Sequence, residues 1–148
     1  MKVQDAMTMD VRSCRPETNL AEVVKNMWEA DCGAMPVIGM DDRVVGMITD
    51  RDICVAMATK NRTAERIAVR EVSHNHVQTC RPQDETTAAL NKMQAQKLRR
   101  LPVVDDDGRL RGILSLNDIV THAGAATPSQ VMNTLASICE HRRPTAGA

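Results

Sequence analysis

Leu20, Val23, Val24, Met27 and Trp28 fall at i, i+3, i+4, i+7 and i+8, the apolar stripe of one helical face. Thr86, Ala89, Leu90 and Met93 repeat that stripe more weakly. Asp31-Cys32-Gly33 supplies a glycine stop signal after the first. The pattern then changes to short apolar runs. Pro36 to Ile38 and Arg43 to Ile48 flank the turn Gly39 to Asp42, and Pro102 to Val104 and Arg109 to Leu114 flank Asp105 to Gly108. Turn residues between apolar runs predict hairpins. A second helix is predicted after Thr49 and again after Ser115. A short helical turn (Val3 to Met7; Val69 to Ser73) and an extended stretch ending at Pro16 or Pro82 precede each set. Each set therefore reads β-α-β-β-α.

The two sets are copies of one another. Displaced by 66 positions, Cys14-Arg15-Pro16 lands on Cys80-Arg81-Pro82, and Met35-Pro36-Val37 on Leu101-Pro102-Val103. Arg43 lands on Arg109, Gly46 on Gly112, Thr49 on Ser115 and Asp52 on Asp118. Self-similarity at a fixed period sets the architecture, and two copies are too few for a solenoid. The expected fold is α+β (α/β): tandem repeats, residues 3–58 and 69–124, packed pseudo-symmetrically, so that any pocket has a twin. Residues 58 to 68 read as a polar linker. Thr127-Pro128 opens a C-terminal helix, residues 127–140, striped by Val131, Met132, Leu135 and Ile138. That stripe is expected to cover the sheet or pair with a second subunit. Residues 141–148 read as a frayed tail.

Composition narrows the function. At 148 residues the chain suits one compact domain. With no Phe or Tyr, one Trp and ten Met, its core is expected to be aliphatic and thioether-rich. Lys plus Arg balances Asp plus Glu at nineteen each, which excludes a chain-wide basic footprint for nucleic acid. No apolar run reaches the roughly 18 residues of a membrane span, and the first residues lack a signal-peptide layout, so a cytoplasmic location is expected. Five scattered cysteines without a CxxC pair suggest reduced thiols. His74 and His76 flank Asn75 with no third ligand at metal spacing and read as solvated loop residues, so no metal is expected. No Ser-His-Asp set or paired nucleophile and base occurs, and no enzymatic role is expected.

The strongest local signal is Gly46-Met47-Ile48-Thr49-Asp50-Arg51-Asp52-Ile53, answered by Gly112-Ile113-Leu114-Ser115-Leu116-Asn117-Asp118-Ile119. A strand delivers a hydroxyl residue, and three positions later an aspartate sits in the first turn of a helix. Free N–H groups there favour a phosphate, and the carboxylate can accept from both hydroxyls of a ribose. The same spacing also makes a capping box, in which nothing binds. Spacing leaves both alternatives open.

Taken together, the tandem C-x-P, h-P-V-h and G-h-h-[TS]-x-x-D-h segments resemble a pair of CBS domains, a Bateman module, over about residues 3 to 123. The whole chain resembles small stand-alone bacterial CBS-pair proteins, including the mycobacterial hypoxic-response type. The resemblance implies a regulatory module binding an adenosyl ligand (AMP, ADP, ATP, NAD or S-adenosylmethionine) in clefts between the repeats. It implies that Asp52 and Asp118 hold the ribose, with Thr49 and Ser115 near ribose or phosphate. Backbone around Ser13-Cys14 and Thr79-Cys80, with apolar residues near Met35-Pro36 and Leu101-Pro102, would enclose the adenine. Arg99 and Arg100 stand where the first copy has Gly33 and Ala34, and basic residues there contact phosphate in related modules; Arg51, beside Asp52, would add charge to the other cleft. Two unequal sites follow. The resemblance further implies a homodimer and an effector protein acted on in trans. The alternative from another class is a ligand-independent structural or stress-response interaction module.

Overall fold

Asn19 starts the first long helix by accepting the Glu22 N–H at 3.0 Å, and α2 (Leu20–Ala30) buries Leu20, Val23 and Met27. The computed structural model describes residues 1–140, so the expected tail 141–148 lies outside the described residues. Before α2 comes a single helical turn, α1 (Val3–Ala6). After it β1 (Ala34–Ile38) and β2 (Val44–Thr49) pair antiparallel, and α3 (Asp50–Thr59) follows. The second repeat gives α4 (Thr86–Gln96), β3 (Arg100–Val104), β4 (Leu110–Ser115) and α5 (Leu116–Thr121), and α6 (Pro128–Cys139) follows. Both sheets have two strands, in equivalent register: Ala34 faces Thr49 as Arg100 faces Ser115.

Several expectations change. The glycine stop is not at Gly33. α2 ends on Asp31 and α4 on Lys97, each in the left-handed region at φ 51° and 55°. The leading extended stretches shrink to one parallel bridge each, Cys14 on Val37 and Cys80 on Val103. The N–H of residue 16 or 82 would make the next ladder bond, and proline has none. The linker is not a spacer either. Ile67 is wholly buried in the first core, and its carbonyl accepts the Leu20 N–H at 3.0 Å. Nor is the core rich in thioethers: Met27, Met35 and Met93 are buried, whereas Met1, Met9, Met40, Met57 and Met132 are exposed.

The larger surprise is an exchange between repeats. α1 opens the first repeat, yet Val3 and Ala6 belong to the core of the second, with Leu90, Met93, Leu101 and Leu114. Val69, which opens the second repeat, sits in the core of the first. Val3 and Val69 are both 0% exposed, and burying one valine side chain contributes roughly 1.5–3 kcal/mol. Each leading segment then lies on the outer edge of the other repeat's hairpin. Thr8 bridges to Ile113 and His74 to Met47, 66 positions apart on both sides. The glycines of the motif make this possible. A Cβ on Gly112 would stand 2.6 Å from the Thr8 carbonyl oxygen, and one on Gly46 2.9 Å from that of His74.

α6 packs on α4 and not on a sheet. It folds back on its own chain, where Val131, Leu135 and Ile138 pack against the second core. Ser137 donates to the Gln94 carbonyl of α4 at 2.9 Å. No helix of the described residues is long and apolar enough to cross a membrane.

Candidate functional site

The end of each hairpin carries one hydroxyl and one carboxylate at the start of the following helix. Thr49 caps α3: its Oγ1 accepts the Asp52 N–H at 3.1 Å, and Asp52 Oδ2 accepts the Thr49 N–H at 2.9 Å. Ser115 caps α5 in the same way, at 3.1 and 2.7 Å. The Ser115 hydroxyl also donates to Asp118 Oδ2 at 2.7 Å, while Thr49 has no such bond. Both capping boxes are therefore formed, and both use Oδ2 alone.

The other carboxylate oxygen meets the opposite repeat. Thr8 Oγ1 donates to Asp118 Oδ1 at 3.3 Å, and His74 Nε2 lies 2.9 Å from Asp52 Oδ1. A carboxylate only accepts, so Nε2 carries the proton in this pair. His74 is thus more than a solvated loop residue, although its side chain is 69% exposed and that of Asp52 only 18%. Sequence reasoning missed Thr8 and His74 as site residues. The signal was available, since the 66-residue displacement pairs them and both side chains can donate.

Asp118, Ser115, Thr8 and Arg100 line a cavity of about 560 Å³ between the repeats, together with the segment Ala30 to Ala34. Asp10, Asp31 and Asn117 add polar groups to its wall, and Ile113 an apolar one. Arg12 also lines it, but its guanidinium donates to Asn26 and Glu29 of α2 at 3.1 and 3.0 Å. The equivalent end of the first repeat brings Thr49, Asp52 and His74 together. Arg51 is exposed one residue before Asp52. Arg99 is exposed, and its carbonyl accepts the Leu116 N–H at 2.8 Å, as that of Gly33 accepts the Asp50 N–H at 3.0 Å.

The expected adenine wall is built differently from its ribose end. Cys14 and Cys80 are buried, and their backbone groups bind β1 and β3: the N–H groups donate to Pro36 and Pro102, both at 3.0 Å. Burial pushes both thiols up to about 12, with smaller help from Glu22 beside Cys14 and Asp84 beside Cys80. Met35 and Leu101 are 0% exposed inside the two cores, Pro36 and Pro102 are buried in the strands, and Ser13 and Thr79 are half-buried. Among the described residues no group of three or more His, Cys, Asp or Glu is arranged to hold a metal ion.

Both repeats have counterparts among known proteins. The family model of the CBS domain matches residues 3–59 and again residues 69–124. Hypoxic response protein 1 of Mycobacterium tuberculosis is 30% identical over 119 residues, 80% of this chain and 82% of that protein. A crystal structure of Hypoxic Response Protein I with two coordinated zinc ions is 30% identical, with a TM-score of 0.75 over 82% of this chain and 98% of that one. The structure of CBSX2 in complex with AMP is 25% identical, with a TM-score of 0.70 over 80% of this chain and 93% of that one. Other relatives are longer: the chain spans 61% of a Methanopyrus kandleri protein and 23% of an inosine-5'-monophosphate dehydrogenase from Methanocaldococcus jannaschii.

Proposed function

The chain belongs to the CBS-domain family, and on that premise we propose that it is a regulatory module binding adenosyl nucleotides in its two clefts. The observation that carries this reading is the oxygen of each carboxylate that the cap does not use. With Oδ2 used by the cap, Oδ1 of Asp52 and of Asp118 faces a residue of the other repeat. A ribose diol entering there would replace or share the His74 and Thr8 contacts. Thr49 keeps its hydroxyl proton for the ligand, whereas Ser115 has given its own to Asp118. The base would lie along Ser13-Cys14 and Thr79-Cys80 beside Pro36 and Pro102, and Arg51, Arg99 and Arg100 would supply charge for phosphate. The complex of CBSX2 with AMP supports an adenosyl ligand in this fold; AMP, ADP, ATP, NAD and S-adenosylmethionine are the candidates. The module would act in the cytoplasm as a homodimer, on an effector in trans, without catalysing a reaction itself.

Thermal melting against those five ligands tests the reading. A ligand at 100 times its dissociation constant adds about 2.7 kcal/mol of stability. Asp52→Glu and Asp118→Glu sharpen the test, because Glu keeps a capping box but moves its carboxylate out of register with the diol. Each should fold normally and bind more weakly by roughly 1.5–3 kcal/mol. No melting shift with any ligand, or unchanged affinity in both variants, would leave the carboxylates as caps. That outcome favours the second reading, a ligand-independent interaction module, which rests on the 86% exposure of Trp28.

A further inference from the structure

We propose that the two clefts are sorted by ligand charge: the Asp52 cleft takes a phosphorylated adenosyl nucleotide, and the Asp118 cleft an uncharged or cationic adenosyl compound. The proposal rests on the adenosyl reading and adds which ligand class each cleft accepts. Its basis is that the 66-residue displacement governs contacts as well as sequence. Four pairs of contacts obey it: the Thr8 and His74 bridges, their bonds to the two aspartates, the Gly33 and Arg99 carbonyls, and the Ala34 and Arg100 strand pairs. The cavity wall around Asp118 therefore has an image around Asp52.

At four positions that image is more positive. Asp10 and Asp31 line the Asp118 cavity, and His76 and Lys97 hold the corresponding positions in the sequence. Gly33 and Asn117 line it too, where the image has Arg99 and Arg51. Among the described residues Asp10, Asp31, Arg51, Arg99 and Arg100 form no ion pairs. Arg12 and Lys97 are committed to Glu29 and Glu140, at 3.0 and 2.9 Å, so neither reverses the contrast. Arg100 lines the Asp118 cavity and offsets one of its three carboxylates. A dianionic phosphate is thus repelled beside Asp10 and Asp31 and attracted beside Arg51 and Arg99. A sulfonium has the opposite preference.

Calorimetry of the full chain at low salt, with AMP and with S-adenosylmethionine, tests this. Asp52→Asn should weaken AMP at least tenfold and leave S-adenosylmethionine within twofold, and Asp118→Asn should do the reverse. Asp31→Lys gives the exposed cap of α2 the residue that already ends α4, so folding is preserved. It should strengthen AMP at the Asp118 cleft roughly thirtyfold, as expected for reversing one charge about 8 Å from a dianionic phosphate in water, and the gain should shrink with salt. Both ligands responding to the same Asp→Asn variant, or Asp31→Lys changing neither ligand, would overturn the sorting and leave adenosyl binding intact. Binding of neither ligand to the unmodified chain would overturn both.

Discussion

Asp52 and Asp118 divide their two oxygens between tasks, one capping a helix and the other facing the opposite repeat. The capping-box and ligand-site alternatives that the spacing left open are therefore compatible. Cys14 and Cys80 show a different residue-scale effect. Folding raises their thiols from an ordinary 9.0 to about 12, chiefly by desolvation. Between those values the unfolded chain loses protons that the folded chain keeps, so stability falls as pH rises. Below about pH 9 both states hold the protons and the contribution is constant. Urea midpoints should thus be level from about pH 7 to 8.5 and decline above about pH 9. A Cys14→Ala, Cys80→Ala variant should decline less steeply. Equal alkaline slopes for the two proteins would show that burial of these thiols is not what the pH acts on.

At the scale of elements, the contact between each leading segment and the opposite hairpin depends on a missing side chain. Gly112→Ala puts a methyl group 2.6 Å from the Thr8 carbonyl and 3.2 Å from Met7 Sδ. The backbone of one segment must move. Overpacking of this kind costs roughly 1–3 kcal/mol, and the Thr8 to Asp118 bond should be lost with it. Gly46→Ala meets only the His74 carbonyl within 3.0 Å, at 2.9 Å, and should cost less. Denaturant titration would reveal the order. A Gly112→Ala protein as stable as the parent would mean that the exchanged segment is not seated against β4. Most elements themselves were legible in sequence. Thr49, Ser115 and Thr127 are N-caps where their spacing put them. The residue that stops each long helix was not, because Asp31 and Lys97 adopt left-handed backbone that is ordinarily left to glycine.

For the whole molecule, the repeats differ in what covers their first long helix. α6 lies on α4, bonded to Gln94 and packed over the core that holds Leu90. The same places on α2 are Trp28 and Val24, 86% and 44% exposed. Among the described residues no second helix covers them as α6 covers α4. A self-complementary pairing of two chains through this face is the commonest closed solution for such a patch. Light scattering should give a dimer at micromolar concentration with or without nucleotide. Trp28→Glu, at a side chain that supports no core, should give a folded monomer. A parent protein that is monomeric, or a Trp28→Glu protein that remains dimeric, would remove this face from the assembly.

The sequence by itself determined the repeat, its period, the order of the hairpins and helices, and the hydroxyl-carboxylate pairs. Each of these depends on neighbours within a few residues or on a pattern copied along the chain. Which core a segment enters does not. Val3 and Val69 carry the same apolar side chain whichever repeat they join, and only packing sends each into the other's core. The same is true of Ile67 in a polar stretch, and of the stripe on α6, which suits its own α4 as well as a second subunit. Thr8 and His74 meet the two aspartates for that reason: the exchange carries them across to Asp118 and Asp52, 110 and 22 positions away. Local pattern fixes what an element is, and the competition among buried surfaces decides where it goes.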